Sequence, residues 1–386
     1  MHPCDLAPAY VRAIAPYQPG KPISELAREL DPAAGLTEAD IVKLASNENP
    51  LGISPKARAA VAAGLASLAL YPDGNGFELK AAIAAKLGGE FAGIGLPGIV
   101  LGNGSNDVLE LVARAFLAPG TSAVYSQHAF AVYALVTQAT GATGLAAAAL
   151  NFGHDLAAMR AAIRADTRVV FIANPNNPTG TLLDASAVHA FLKSVPEQVL
   201  VVLDEAYGEF LDAAVQAPTV AWLSEFPNLV LTRTFSKAYG LAGLRVGYAL
   251  AQADVAGLLN RVRQPFNVNS LALAAATAAL DDTDFIAASK RVNDAGMAQL
   301  VQGFQRMGLV FIPSFGNFVC VKVASPARSA DGVFQELLKR GVIVRPVGNY
   351  GLPDYLRVSI GLPEQNARFL AALDEILAMH VTREPA

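Results

Sequence analysis

Thr232-Arg-Thr-Phe-Ser-Lys-Ala-Tyr-Gly-Leu-Ala-Gly-Leu-Arg-Val-Gly-Tyr248 is the stretch from which the rest of the chain becomes readable. It follows an apolar run, Asn228-Leu-Val-Leu231, that has the composition of a buried strand. Lys237 is crowded between hydroxyl groups and small residues, unlike a lysine on a polar face. Desolvation in such a pocket lowers an amine's pKa and makes it a nucleophile toward an aldehyde. Thr234, Ser236 and Arg245 supply two hydroxyls and a permanent cation beside it, a set that suits a phosphate monoester. A Schiff-base lysine with a phosphate cradle points to pyridoxal 5′-phosphate. Taken alone, the same stretch is equally a strand-to-turn junction that happens to carry a lysine.

Outward from this stretch, apolar runs alternate with helical patterns. Strands are expected at 41–45, 99–101, 121–125, 168–173, 199–203, 229–231 and 245–251. Helices are expected over about 54–69, 77–88, 108–117 and 184–193. Continuous apolar strands between helices imply an α/β fold, with a mostly parallel sheet covered on both faces. After Gln264-Pro-Phe-Asn-Val-Asn269 the composition shifts. A helical pattern over about 270–307 leads to strands at 317–323, 341–345 and 355–360, with a helix at 331–340 and another at the C-terminus. The expected division is an extended arm (1–35), a large domain (36–270) and a smaller αβ domain (271–386). The run Ala146–Ala149 reads as compositional bias.

At 386 residues the chain is long enough for two domains. Its net charge of -4, without a Lys/Arg cluster, gives no reason to expect nucleic acid. The longest apolar runs are too short to span a bilayer, and the first residues lack a secretory pattern, so a cytoplasmic protein is expected. Cys4 and Cys320 suggest neither a disulfide framework nor a zinc site, and His2, His128, His154, His189 and His380 lack metal-ligand spacing.

In open parallel sheets ligands bind beyond the carboxyl ends of the strands. Five polar clusters fall there: Gly104-Ser105-Asn106, His128 with Phe130, Asn177 in Asn174-Pro-Asn-Asn-Pro-Thr-Gly180, Asp204 with Tyr207, and Thr234-Ser236-Lys237. Singly, each is also an ordinary turn, cap or core residue. Amides at a helix N-terminus receive phosphate, and a carboxylate directly after Val-Leu-Val-Val-Leu is placed to pair with a buried cation.

With these stretches in view, the chain resembles the fold-type I, pyridoxal-phosphate-dependent aminotransferases of the class II group. The resemblance covers nearly its whole length. The lysine stretch with Arg245, then Asn174–Gly180 and Asp204-Glu-Ala-Tyr207, carry it. The arm Pro16-Tyr-Gln-Pro-Gly20, the segment Leu44-Ala-Ser-Asn-Glu-Asn-Pro-Leu-Gly52 and the turn Tyr71-Pro-Asp-Gly74 resemble the histidinol-phosphate branch. One departure is His128-Ala-Phe130, where the family often has Pro-Thr-Tyr; phenylalanine keeps a stacking face but has no hydroxyl.

The resemblance implies roles. Lys237 would be the Schiff-base lysine that shuttles a proton, and Asp204 would pair with the pyridinium nitrogen. Asn177 and Tyr207 would bond the phenolic oxygen. Phe130, or less readily Tyr133, would stack on the ring. Gly104, Ser105, Asn106, Thr234, Ser236 and Arg245 would hold the phosphate, joined by Tyr71 from the other subunit of a homodimer. Arg357, Arg345, Tyr17 and Asn47 would meet the substrate. The implied reaction moves an amino group between L-histidinol phosphate and 2-oxoglutarate or glutamate, in histidine biosynthesis. Rival expectations are an aromatic amino-acid aminotransferase, a decarboxylase of a phosphorylated amino acid, and a non-enzymatic sensor domain. For the last, residues 1–35 are too short and too little basic to form a DNA-binding segment.

Overall fold

The computed structural model describes residues 2–30, 35–91 and 93–381. Residues 31–34 of the expected arm, and the side chain of His380, lie outside the described residues. The central sheet has seven strands, in the order Ile99–Gly102, Gly247–Leu250, Leu229–Thr234, Leu200–Asp204, Thr167–Ala173, Ser122–Ser126 and Thr143–Ala147. All neighbours are parallel except Gly247–Leu250, which runs antiparallel to both strands flanking it.

Strands buried on both faces need apolar residues at every position, because successive side chains point to opposite sides. In Leu200–Asp204, Val201 and Leu203 join one core cluster, while Leu200 and Val202 join the other. Helices Phe77–Leu87, Ala185–Ser194, Thr219–Glu225 and Ser270–Leu280 cover the first face. Helices Ser105–Phe116, Ala131–Ala139 and Ala253–Val262 cover the second. This alternation also decides where polar residues at the strand end point. Asp204 shares the parity of Leu200 and Val202, and Glu205 has the opposite one.

A second, four-stranded antiparallel sheet is ordered Phe311–Ile312, Phe318–Lys322, Tyr355–Ser359 and Arg345–Pro346. Its own core takes in Leu300, Phe304, Val333, Leu337, Phe369, Leu373 and Leu44. Leu44 belongs there because Val42–Lys43 pairs in parallel with Val342–Ile343, which ties the start of the chain to this sheet.

Several expectations are refined. The long helical pattern at 270–307 breaks at Asp281-Asp282 into Ser270–Leu280 and Thr283–Arg306, where the Asp282 side chain caps the second helix by accepting from Phe285 N–H. The strand expected at 341–345 is two: Val342–Ile343 pairs with Val42–Lys43, and Arg345–Pro346 pairs with Tyr355–Ser359. The arm is not extended throughout, since Ile23–Glu29 is a helix whose Leu26 is buried against Ile41, Leu338 and Ile343. The alanine run includes the end of edge strand Thr143–Ala147, which pairs along its whole length with Ser122–Ser126. Thr-Gly-Leu-Ala-Ala carries little intrinsic strand preference, so pairing and not composition makes it a strand. Among the described residues no helix is long and apolar enough to cross a membrane.

Candidate active site

One cavity opens at the carboxyl ends of the central strands and is closed on its far side by the smaller sheet and the arm. Lys237 enters it from the turn after Leu229–Thr234 and donates from Nζ to the Ser46 carbonyl at 3.0 Å. Burial first, and the nearby Arg357 guanidinium second, pull its pKa from 10.5 to about 8. Roughly a tenth of such lysines is a free amine at pH 7, far more than for a solvated lysine.

The Ser46-Asn47 loop is pinned from both sheets. Asn47 has φ of +56°, a left-handed conformation that asparagine tolerates better than most residues. Its Nδ2 donates to Tyr207 Oη at 3.0 Å, and its Oδ1 accepts from Ser359 Oγ at 2.9 Å. Burial pushes the Tyr207 phenol up to about 12, so it stays protonated and remains a donor for a ligand oxygen.

Asp204 closes the floor. Its Oδ2 accepts from Tyr133 Oη at 2.9 Å, while its Oδ1 is buried without a partner in the protein. A buried carboxylate oxygen left without a donor is costly, so a ligand that brings an N–H there fits this site. Desolvation raises the Asp204 pKa, and the Tyr133 hydrogen bond opposes that rise. Phe130, the residue expected to stack, lines the cavity edge-on to Tyr133, with ring centroids 5.9 Å apart. Tyr133 is itself stacked on Phe171 at 4.9 Å, so its ring belongs to the core and its hydroxyl to Asp204.

At the other end of the floor lies an anion cradle. Helix Ser105–Phe116 starts after Gly104, whose φ of +82° suits glycine, and presents free amide groups. A Cβ on Gly104 would come within 2.6 Å of Arg245 Nη2, which is how closely the guanidinium approaches this backbone. Arg245 Nη1 lies 3.4 Å from Ser236 Oγ, and Thr234 Oγ1 accepts from Ser236 N–H. Amides at a helix start, two hydroxyls and a guanidinium fit a phosphate monoester. With the orphaned Asp204 oxygen and the depressed Lys237 amine, the residues present fit pyridoxal phosphate.

Two further guanidinium groups reach the cavity from the second sheet. Arg357 donates from Nη1 to Asn177 Oδ1 at 2.6 Å and from Nη2 to the Ala45 carbonyl at 2.8 Å; its Nε has no partner. Asn177, expected to face the cofactor, also lines the cavity, but its oxygen is held by Arg357. Arg345 bonds the Gln18 carbonyl and lies 5.6 Å over the Tyr17 ring. Among the described residues neither arginine is paired with a carboxylate. His128 is a strut: its Nδ1 is 2.6 Å from the Tyr350 carbonyl, and its own carbonyl accepts from Asn176 Nδ2.

The structure thus brings Tyr17, Asn47, Ser105, Asn106, Phe130, Asn177, Asp204, Tyr207, Thr234, Ser236, Lys237, Arg245, Arg345 and Arg357 around one cavity, with Gly104 directly behind its wall. Tyr71 is elsewhere: it is 83% exposed and stacked on Phe266 at 4.7 Å. Sequence reasoning missed Ser46, Ser359 and the pairing of Tyr133 with Asp204. The spacing of Phe130 and Tyr133, three residues apart at a helix start, places them on one face. It does not identify a carboxylate as the partner.

The profile of the family described as "Aminotransferase class I and II" matches residues 39–373. Histidinol-phosphate aminotransferase 1 of Thiobacillus denitrificans is 64% identical over 379 residues, covering 98% of this chain and 95% of that protein. Histidinol-phosphate aminotransferase of Methylobacillus flagellatus is 61% identical over 373 residues, 97% of this chain and 98% of that one. Among solved structures, the histidinol-phosphate aminotransferase from Sinorhizobium meliloti in complex with pyridoxal-5′-phosphate superposes with a TM-score of 0.86 at 26% identity, over 97% of this chain and 98% of that chain. Profile, relatives and fold agree with the geometry of the cavity, and the chain belongs to the class I and II aminotransferases, in the histidinol-phosphate aminotransferase family.

Proposed function

We propose that this chain transfers the amino group of L-histidinol phosphate to 2-oxoglutarate, using pyridoxal phosphate, as a step of histidine biosynthesis. The observation that carries the reading is a buried, easily deprotonated lysine sharing one cavity with Arg357 and Arg345, two guanidiniums that pair with no carboxylate among the described residues. The names and high identity of the relatives support it. When bound, pyridoxal phosphate supplies a carbonyl carbon that takes up the amino group and a ring that accepts the electron pair released at the substrate carbon.

The chain's own residues do the rest. Lys237 Nζ would carry the proton between the substrate α-carbon and the cofactor carbon C4′, the two carbons bonded to the transferred nitrogen. Asp204 Oδ1 would accept a hydrogen bond from the ring nitrogen and hold its proton there. Tyr207 Oη and Asn177 would bond the phenolic oxygen, Phe130 would stack on the ring, and Gly104, Ser105, Asn106, Thr234, Ser236 and Arg245 would hold the phosphate. Arg357, with Arg345, Tyr17 and Asn47, holds the substrate phosphate in one half-reaction and a glutamate carboxylate in the other. A guanidinium fork suits both anions.

Half-reaction spectroscopy on the purified protein tests this. Histidinol phosphate should convert the cofactor from its aldehyde to its amine form with a higher kcat/KM than phenylalanine, tyrosine or phosphothreonine. A preference for phenylalanine or tyrosine would overturn the substrate assignment.

The proposal includes a homodimer with shared sites, in the cytoplasm. Tyr71, Leu65, Leu68, Leu70 and Phe77 are exposed along one segment, an apolar surface typical of an interface. Cys4 is an exposed free thiol, which suits a reducing compartment. We also propose a functional division into the arm at 1–35, a cofactor domain at 36–270 and a smaller domain at 271–386. Tyr71 would complete the phosphate cradle of the other subunit. Mixed under subunit exchange, inactive Tyr71→Ala and Lys237→Ala proteins should form hybrids with one intact site and one doubly damaged site. The expected recovery is about one quarter of wild-type activity, since half the dimers are hybrids and each has one good site. Proven exchange without recovery would remove Tyr71 from the partner's site.

A further inference from the structure

We propose that Tyr133 is a positioning residue that holds Asp204 by Oδ2, so that Oδ1 alone is left to receive the ring nitrogen of the cofactor. This rests on the cofactor reading above and goes beyond it, because Tyr133 touches neither cofactor nor substrate in that reading. Three observations support it. Tyr133 is fully buried, and its ring lies parallel to Phe171 within 4°, so the hydroxyl has a fixed direction. That hydroxyl donates to Asp204 Oδ2 at 2.9 Å. The other oxygen, Oδ1, is buried and has no protein partner. A carboxylate held at one oxygen by a fixed phenol, with its other oxygen buried and lacking a well-aligned protein donor, offers that second oxygen to a ligand with its orientation set in advance.

The same bond keeps the carboxylate charged. Around Asp204 stand the Tyr133 phenol from helix Ala131–Ala139, the Thr232 hydroxyl from the neighbouring strand, the Ala206 amide, Glu205 and Tyr207. Burial and Glu205 favour the neutral acid, while the Tyr133 and Thr232 hydroxyls and the amide favour the anion. Burial and the adjacent carboxylate push the Tyr133 phenol well above its ordinary range, so it remains a proton donor throughout the working pH range. Removing it takes a donor from the charged form alone, so the Asp204 pKa must rise.

The test is Tyr133→Phe, which deletes the hydroxyl and keeps the stacked ring. Dissociation of pyridoxal phosphate is measured by titrating apoprotein across pH 5 to pH 9, with wild type alongside. Expected is about a tenfold rise in Kd at neutral pH, the size for one hydrogen bond to a charged group. The acid limb of the Kd profile should move up by about one pH unit. The same substitution in an Asp204→Asn background should change Kd less than twofold, because the charged form it serves is gone. A loss uniform across pH, or equal in both backgrounds, would make Tyr133 only a packing residue and overturn the proposal. If Tyr133→Phe does not fold, Phe171→Leu serves in its place. It loosens the ring that aims the hydroxyl, and an unshifted acid limb there would be equally decisive against the idea. Wild-type protein that binds no pyridoxal phosphate would refute the cofactor reading itself, an outcome distinct from an unresponsive Tyr133.

Discussion

Replacing Lys237 with alanine is expected to lower transamination by at least about four orders of magnitude, the upper range for a general acid–base group, while the fold and cofactor retention persist. The size follows from there being no substitute. Lys237 carries the one amine at the end of the Leu229–Thr234 strand, and its cation is already destabilised by burial and by Arg357. Cofactor retention persists because the cradle at Gly104, Ser236 and Arg245 and the Asp204 contact do not depend on the amine. Within the protein the Nζ bond to the Ser46 carbonyl is lost, a contact worth about 1.5–3 kcal/mol at most, and toward the cofactor the covalent Schiff base is lost, so retention would be non-covalent. Single-turnover spectroscopy with histidinol phosphate checks it. A variant that interconverts the two cofactor forms at near wild-type rate would show that another group moves the proton. Added methylamine should restore part of the rate, since the missing function is a small base in a cavity.

Arg357→Lys carries the second large effect. The lysine keeps the charge and loses the planar fork that donates to Asn177 and to the Ala45 carbonyl while presenting a third nitrogen. Binding of both histidinol phosphate and glutamate should weaken by about 1.5–3 kcal/mol, the range for a hydrogen bond to a charged group. The neutral variant Arg357→Gln adds a pH effect with a definite sign. Arg357 is the second-largest cause of the depressed Lys237 pKa, so its removal should raise that pKa above about 8. The rate at which apoprotein reacts with an aldehyde should then need higher pH. Tyr17→Phe keeps the ring under Arg345 and removes the hydroxyl, so kcat/KM for histidinol phosphate should fall more than for glutamate. Equal losses would take the arm out of substrate selection, and an unaffected Arg357→Lys enzyme would remove the anion site.

Among the described residues neither Arg345 nor Arg357 is paired with a carboxylate, and this gives the second prediction its weight. Arginines at strand ends can equally be spent on salt bridges. In the structure the Arg357 fork spends two of its nitrogens on neutral oxygens and leaves Nε without a partner, so its charge remains available to an anion.

The amino-acid sequence by itself determined the sheet and the mouth of the site. Runs such as Val199-Leu-Val-Val-Leu203 are apolar at every position, and so short and β-branched a run, bounded by turn residues, suits a strand covered on both faces. Once those strands are parallel, the polar residues after them (Ser105, Asp204, Ser236, Lys237) must gather at one edge, because chain direction alone puts them there. Tertiary structure alone decided which atoms meet. Arg357 reaches Asn177 across 180 positions and Ser359 reaches Asn47 across 312, contacts set by how the second sheet docks on the first. Tyr133 and Asp204 look alike, in sequence, to many buried tyrosines and strand-end carboxylates; their pairing depends on the packing of helix Ala131–Ala139 over the sheet. The division of 341–345 between two sheets and the edge strand at Thr143–Ala147 likewise follow from neighbours and not from local preference. Periodicity is a local property that a few consecutive residues express, whereas a hydrogen-bond partner, and the pKa that burial imposes on Lys237, are properties of distant segments brought together.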